Sequence, residues 1–113
     1  MTMGLVERLK ADLLRAMKAR DLVRVSTLRT MLSALDNATA VEVDPSFVPF
    51  EGRTPDVPRR ELSEDEQLEL LRSEAVHRRN AAQHYETLGK QVEATRLWAE
   101  VAVFVDYVDE VVE

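Results

Sequence analysis

The stretch SEAVHRRNAAQHYETLG, from Ser73 to Gly89, decides how the second half of the chain folds. Its small and apolar residues recur every three or four positions, which is the spacing of one face of an α-helix. The glycine that ends it can take the left-handed backbone conformation that closes a helix. The stretch therefore predicts one arm of a helical hairpin, with its corner at Gly89.

Helical patterns continue on both sides of this corner. Upstream, Ser63 and Glu66 have the spacing of a capping box, so the third helix is predicted over residues 64–88. Downstream, an apolar stripe predicts a fourth helix over residues 90–111. The members of this stripe are Leu97, Val101, Phe104 and Val108, widened by Ala94, Trp98 and Val105. Valines near its end lower helix propensity, so the last turns depend on packing.

The first half of the chain predicts a second hairpin. Apolar residues at helical spacing indicate helices over residues 4–19 and 21–38, and Asp21 can cap the second of them. All four prolines fall within residues 39–62, a density that no helix tolerates. We interpret this loop as an arm laid over the bundle, and a partner-binding loop is the alternative. The predicted fold class is all-α: one domain over residues 1–113, with four helices in two helical hairpins joined by a long proline-rich loop.

An arginine interrupts the apolar row of the third helix. Arg78 lies within that row and Arg79 on its shoulder. A guanidinium does not lose its charge, so its burial requires a partner. Glu100 is as far after Gly89 as Arg78 is before it, and residues equally far from a corner lie at similar heights. We therefore predict an Arg78–Glu100 ion pair, with Arg79 or Glu93 as candidate third members, that contributes more to register than to net stability.

The residues themselves do not argue for catalysis. Glu74 and His77 have the spacing of a di-metal ligand pair, but a second such pair on another helix is missing. His77 and His84 share the side of the third helix opposite its apolar row, where we expect solvent. Cysteine, glycine-rich phosphate loops and a nucleophile elbow are absent from the sequence. We predict no catalytic residues, no metal site and no cofactor.

Charge is distributed unevenly along the chain. The net charge is −6, but residues 1–39 carry +3 and residues 40–113 carry −9. The acidic total argues against general affinity for nucleic acid, because phosphate contacts need a positive surface. Either the two halves attract each other, or the first half presents a local basic surface. The residues of that candidate binding face are Arg15, Lys18, Arg20, Arg24 and Arg29.

Some of these basic residues also have an interpretation that needs no binding partner. Asp21 is a local partner for Arg24, which would make Arg24 a salt-bridged residue at a helix end. The basic residues of the first helix and its turn form either a solvated face or a groove for an acidic partner. They are Arg8, Arg15, Lys18 and Arg20. No signal peptide and no run of about eighteen apolar residues is found, so we expect a cytoplasmic protein without a membrane span.

Several motifs together resemble the YqeY-like family. The segment ERLKADLLRAMKARDLVRVSTLRTMLSALDNA looks like the opening hairpin of that family. LRSEAVHRRNAAQHYETLGKQ and AEVAVFVDYV are similar to its two later motifs, in the same order. The residues that match the family pattern are Lys18, Arg20, Asp21, Arg24, Leu28, Arg29, Arg78, Arg79, Tyr85, Gly89, Glu100 and Tyr107. Val108 and Asp109 depart from it, because the family has Leu-Pro after this tyrosine.

The resemblance implies an all-α N-terminal domain, followed in full-length members by a smaller helical domain. That second domain is similar to the tRNA-contacting tail of the B subunit of the glutamine-dependent aminoacyl-tRNA amidotransferase. This kinship links the family to a carbon–nitrogen ligase reaction with glutamine as the amide donor. Because the sequence stops at Glu113, we expect the N-terminal domain alone, in an accessory or divergent form.

Two functions follow as hypotheses. The first is a non-catalytic helical adaptor that contacts a protein partner or forms a homo-oligomer, with only a family-level link to amidotransferase activity. The second is a tRNA-binding accessory factor that uses the basic face of the first hairpin. A contiguous positive surface there would favour tRNA, whereas an apolar patch would favour a protein. An enzyme would need a pocket where titratable groups converge, and no motif indicates one.

Overall fold

The structure is a computed structural model that describes residues 3–39 and 61–108. This part of the chain contains four helices and no strand, which confirms the all-α fold class. The helices are α1 (Leu5–Ala19), α2 (Leu22–Thr39), α3 (Glu64–Thr87) and α4 (Gln91–Val105). The first two pack against each other, as do the last two, and α4 also contacts α2. The arm predicted over residues 39–62 lies largely outside the described residues, which resume at residue 61.

The corner between α3 and α4 is a glycine corner, as predicted. Gly89 has φ 74°, in the left-handed region. Its amide donates to the carbonyl of Glu86 at 3.0 Å, and the amide of Lys90 donates to the carbonyl of Tyr85 at 2.9 Å. These two bonds satisfy carbonyls that the end of a helix leaves without a partner. The chain can therefore reverse here without leaving backbone groups unbonded.

Side-chain caps begin two of the helices. At α3, the Ser63 hydroxyl accepts a bond from the Glu66 amide at 3.1 Å, and the Glu66 carboxylate accepts one from the Ser63 amide at 3.2 Å. This is the predicted capping box. At α2, the Asp21 carboxylate accepts a bond from the Arg24 amide at 3.2 Å. Each cap satisfies an amide donor in the first turn of its helix.

The corner between α1 and α2 has the same bonding pattern without a glycine. Arg20 has φ 56°, and its amide donates to the carbonyl of Met17 at 3.2 Å. The amide of Asp21 donates to the carbonyl of Ala16 at 3.0 Å. A residue with a side chain is disfavoured in this conformation by about 1 kcal/mol. The position of this corner and its Asp21 cap agree with the prediction, whereas the left-handed conformation of Arg20 was not predicted, because arginine carries no signal for it.

The core lies between the two hairpins. Phe104 of α4 is fully buried and is among the largest core side chains. The members of the core cluster are Leu5, Leu9, Ala16, Leu28, Met31, Leu35, Leu71, Ala75, Val103, Phe104, Tyr107 and Val108. All four helices and the turn after α4 contribute, so packing between elements, rather than helix propensity alone, holds the fold together.

The end of α4 differs from its prediction. The helix stops at Val105 rather than near residue 111, and residues 109–111 lie outside the described part of the chain. The carbonyl of Phe104 accepts bonds from the amides of Tyr107 and Val108, which makes a tight turn. Both of these side chains are buried, so the turn is stabilised by packing. Val103 is buried off the predicted stripe, because α4 contacts α2 as well as α3.

Candidate functional site

A polar cleft lies where the end of α4 meets α1 and the start of α2. Its volume is about 410 Å³. Three arginines and three aspartates contribute to its lining, so the cleft is close to neutral. The polar lining residues are Arg8, Asp12, Arg15, Asp21, Arg24, Asp106 and Tyr107. The first four come from α1 and the corner that follows it, and the last two from the turn after α4.

Tyr107 connects this turn to α1. Its hydroxyl donates a hydrogen bond to the carboxylate of Asp12, which also pairs with Arg15 one turn along the helix. The guanidinium of Arg8 lies over the tyrosine ring, 5.3 Å from its centroid. Burial raises the pKa of the Tyr107 hydroxyl above its ordinary value. Tyr107 is therefore a protonated donor at neutral pH that fixes the position of Asp12.

Arg24 connects the same turn to α2. Its Nη2 lies 2.5 Å from a carboxylate oxygen of Asp106, and its Nε lies 4.0 Å from one of Asp21. The hydrogen bond to Asp106 raises the pKa of the guanidinium, so it stays charged. Both acids are about half exposed, so this pair orients groups more than it stabilises the fold. The local Arg24–Asp21 pairing predicted from the sequence is present at the limit of an ion-pair distance, and Asp106 is the closer partner.

The structure divides the predicted basic face. Arg15 and Arg24 line the polar cleft, where carboxylates pair with both. Lys18, Arg20 and Arg29 are exposed and do not line this cleft. Sequence reasoning missed Asp106 and Tyr107 as cleft residues, because they reach it only through the turn after α4. No local sequence pattern indicates that a tyrosine so far along the chain is buried and bonded to a carboxylate of α1.

The second hairpin holds a separate charged cluster. Arg78 Nε lies 3.2 Å from a carboxylate oxygen of Glu100, so the two residues predicted to pair are in contact. Arg78 Nη1 also lies 2.9 Å from the carboxylate of Glu74, one turn earlier on α3. The guanidinium carbon is 4.8 Å from the centroid of the Phe104 ring. Glu74 could have been identified from its four-residue spacing, whereas Phe104 as a stacking partner could not.

The remaining residues of this cluster have different surroundings. The side chain of Arg78 is 18% exposed, and Arg79, next to it on α3, is partly buried. His77 and His84 are both exposed. Among the described residues, no group of three acidic or histidine side chains could hold a metal ion. The cluster therefore links the two helices of the hairpin through an arginine that contacts two carboxylates and an aromatic ring.

A second surface of the first hairpin is partly apolar. A groove of about 390 Å³ runs along the seam of α1 and α2, with Lys10 on one side and Leu32 and Ser33 on the other. One and two turns beyond Lys10, Leu14 and Met17 continue the same face of α1. Leu22, at the start of α2, lines a different pocket, together with Arg96 and Glu100 of α4. Leu14 is 60% exposed and Leu22 is 78% exposed. We call the groove itself the hairpin groove; its lining residues are Val6, Lys10, Leu32, Ser33, Leu35, Asp36, Thr39 and Gln67.

None of the described helices is long and apolar enough to cross a membrane. Both candidate surfaces, the polar cleft and the hairpin groove, belong to helices that pack around one small core.

Comparison with known proteins places the chain in a family. The family described as "Yqey-like protein" matches residues 6–113, essentially the whole chain. No curated protein gives a significant match. The matched range includes the hairpin groove, the polar cleft and the Arg78 cluster, so the family resemblance read from the separate motifs is confirmed over both hairpins. The chain belongs to the YqeY-like family.

Proposed function

We propose that this protein is a non-catalytic helical adaptor that acts by binding another protein. The observation that carries the proposal is the exposure of large apolar side chains on the first hairpin. Leu14, Met17 and Leu22 are large apolar residues of this hairpin that are exposed in the described chain. Leu14 and Met17 lie one turn apart on α1, and neighbouring exposed apolar side chains are typical of sites that bind other proteins.

The polar cleft supports the same proposal by its charge balance. Arg15 and Arg24, two of the five basic candidates, are paired with carboxylates of the same chain. A nucleic acid would have to compete with these carboxylates for the two guanidiniums. A protein surface carrying both signs of charge can complement such a cleft without displacing them.

The link to glutamine-dependent amidotransferase activity is part of the proposal at the family level only. It concerns the pathway in which the adaptor would act and assigns no catalytic group to this chain. In this view the protein brings a partner into contact with an assembly that carries out the carbon–nitrogen ligase reaction.

The test is affinity capture of the tagged protein from native lysate, with and without nuclease treatment. We expect a specific protein partner that remains bound after nuclease treatment, and the eluates are assayed for amidotransferase subunits and for tRNA. Capture of no specific protein, or loss of all captured protein with nuclease, would overturn the adaptor proposal. The presence or absence of amidotransferase subunits tests the family-level link separately.

The alternative function is a tRNA-binding accessory factor. The exposure of Lys18, Arg20 and Arg29 on the first hairpin favours it. Titration of tRNA binding against salt tests it, because phosphate contacts weaken steeply as the salt concentration rises. Binding that falls with salt, and falls again in an Arg20→Ala/Arg29→Ala variant, would support this function. Absence of binding at low ionic strength would exclude it.

A further inference from the structure

A small pocket lies between the start of α2 and the middle of α4, so each hairpin contributes one of its walls. Its volume is about 160 Å³, and its lining residues are Leu22, Val23, Ser26, Thr27, Arg96 and Glu100. Leu22 is 78% exposed and Val23 is 45% exposed, so the wall from α2 presents two uncovered apolar side chains. We call this site the inter-hairpin pocket.

Arg96 gives the inter-hairpin pocket a positive charge without a partner. Glu100, one turn later on α4, has the spacing of an ion-pair partner for it. The carboxylate of Glu100 is bonded instead to Arg78 of α3, whose Nε lies 3.2 Å from it. Arg96 is exposed and forms no ion pair with a carboxylate of the described residues. Its guanidinium is therefore available to an anion supplied by another molecule.

A hydroxyl beside the apolar wall provides a second donor. Ser26 is exposed and lies one turn after Leu22 and Val23 on α2. The hydroxyl of Thr27 does not compete for this role, because it is buried and donates to the carbonyl of Val23 at 2.8 Å. The inter-hairpin pocket thus combines an apolar wall and a hydroxyl from α2 with a guanidinium from α4.

We propose that the inter-hairpin pocket binds the C-terminal residue of a partner protein, and that this residue is aliphatic. This inference rests on the proposed adaptor function and names the chemistry of its partner. The pocket is smaller than the roughly 300–1,000 Å³ of small-molecule sites, so it has room for one anchoring residue. An aliphatic residue carries a carboxylate only at the end of a chain. Its side chain would cover Leu22 and Val23, and its carboxylate would pair with Arg96.

The experiment selects binders of the whole chain from a library of short peptides that are displayed with free C-termini and random terminal residues. We expect the selected peptides to end in an aliphatic residue. Amidation of the terminal carboxylate should lower their affinity about tenfold or more, because hydrogen bonds to a charged group are lost. Leu22→Asp should lower it to a similar degree, because a charge then replaces the apolar wall and repels the carboxylate.

Arg96 and the terminal carboxylate should show energetic coupling. Arg96→Ala should lower the affinity of a selected peptide about tenfold when its carboxylate is free. The amidated form of the same peptide should bind the wild type and Arg96→Ala with equal affinity, because the interaction is then absent from both. Equal weakening of the free and the amidated peptide would show that Arg96 does not contact the carboxylate, and would overturn the proposal.

Two matched controls keep the charge and the exposure of these substitutions but lie outside the pocket. Val105→Asp is at an exposed residue of α4 two and a half turns from Arg96, which is the opposite side of the helix. Arg20→Ala removes another exposed arginine. Both controls should leave peptide binding unchanged, and circular dichroism should show wild-type helicity for all four variants. Loss of binding in the controls to the same degree as in Leu22→Asp and Arg96→Ala would contradict the proposal.

Other occupants of the pocket would give different results. Selected peptides that keep their affinity after amidation, or a library that yields no binders, would exclude a terminal carboxylate as the ligand. Self-association in sedimentation that is lost in Leu22→Asp would assign the pocket to a second copy of the chain instead.

This inference and the adaptor proposal can fail separately. If affinity capture yields the same partner with wild type and with Leu22→Asp, the adaptor proposal stands and the inter-hairpin pocket is not its docking site. If capture yields no partner while free-acid peptides bind the pocket, the pocket binds chain ends and the adaptor proposal falls. Support for both requires a captured partner that is lost in Arg96→Ala, and whose own C-terminal peptide binds the pocket more weakly after amidation.

Discussion

Arg78 shows how a charged side chain can be built into an apolar hairpin. Its guanidinium contacts two carboxylates and the face of the Phe104 ring. Taking two opposite charges out of water costs much of what their attraction returns, so such a cluster contributes mainly to specificity. The position of Arg78 opposite Glu100 fixes the register between α3 and α4.

Removal of the Arg78 side chain should therefore destabilise the fold, although the ion pair itself adds little net stability. We expect Arg78→Ala to lower the free energy of unfolding by about 3 kcal/mol, because it leaves Glu100 partly buried without its partner. Urea unfolding followed by circular dichroism measures the change. Arg72→Ala is the matched control, since Arg72 pairs with Glu69 in a more exposed position on the same helix. It should cost less than about 1 kcal/mol, and equal losses would contradict a special role for Arg78.

Tyr107 should make stability depend on pH in the alkaline range. Burial raises the pKa of its hydroxyl in the folded state, so folding favours the protonated form. The stabilisation is complete below the unfolded pKa of about 10 and is lost as the pH rises through the higher folded pKa. The wild-type free energy of unfolding should therefore fall more steeply above about pH 10 than that of Tyr107→Phe. Parallel slopes for the two proteins in urea unfolding at several pH values would argue against this coupling.

The two corners of the molecule form a comparison at the level of elements. Both reverse the chain by the same pair of backbone bonds, but one uses glycine and the other arginine in the left-handed conformation. A β-carbon on Gly89 would meet no atom within 4 Å, so conformation alone decides the effect of a substitution there. Substitutions at the two corners therefore test the cost of the left-handed conformation in opposite directions.

We expect Arg20→Gly to raise the free energy of unfolding and Gly89→Ala to lower it, each by about 1 kcal/mol. The increase at Arg20 would come from relief of the left-handed conformation, reduced by the greater freedom of glycine in the unfolded chain. Thermal and urea unfolding of the two variants measure the changes. A loss of stability in Arg20→Gly would mean that the arginine side chain makes stabilising contacts that exceed this strain.

Element boundaries with a local chemical cause were predictable from the sequence. The Ser63 capping box and the Gly89 corner depend on a few neighbouring residues, and the structure contains both. The end of α4 depends instead on burial of Tyr107 and Val108 against distant helices, so the periodic pattern extended the helix too far. At the other corner the Asp21 cap made the boundary predictable, but the left-handed conformation of Arg20 was not, because its residue type carries no signal for it.

At the scale of the whole molecule, Phe104 joins the two hairpins. It is fully buried in a core to which α1, α2 and α3 also contribute. Phe104→Ala should lower the free energy of unfolding by about 3–5 kcal/mol, which is a large part of the stability of a domain of this size. Urea unfolding should still show one transition, shifted to lower denaturant. Val105→Ala, at the exposed neighbouring position, should change stability by less than about 0.5 kcal/mol.

The candidate surfaces were only partly predictable at this scale. Helical spacing located the arginines of the first hairpin, but which of them are paired depends on where the end of α4 lies. Asp106 reaches Arg24 across 82 positions of the chain, and no periodic pattern contains such a contact. The exposed Val105, predicted within the apolar stripe of the fourth helix, shows that periodicity finds an apolar face without showing how much of it a neighbour covers.

The hydrogen bond from Tyr107 to Asp12 joins residues 95 positions apart, nearly the full span of the described chain. Closing so long a loop is entropically unfavourable, so this contact should form after each hairpin has folded and should be among the first to open. The polar cleft thus exists only in molecules whose hairpins are docked. In a hydrogen-exchange experiment, the amides of Tyr107 and Val108 would lose protection before those of α3. Their exchange rates would report the docking equilibrium of the two halves directly.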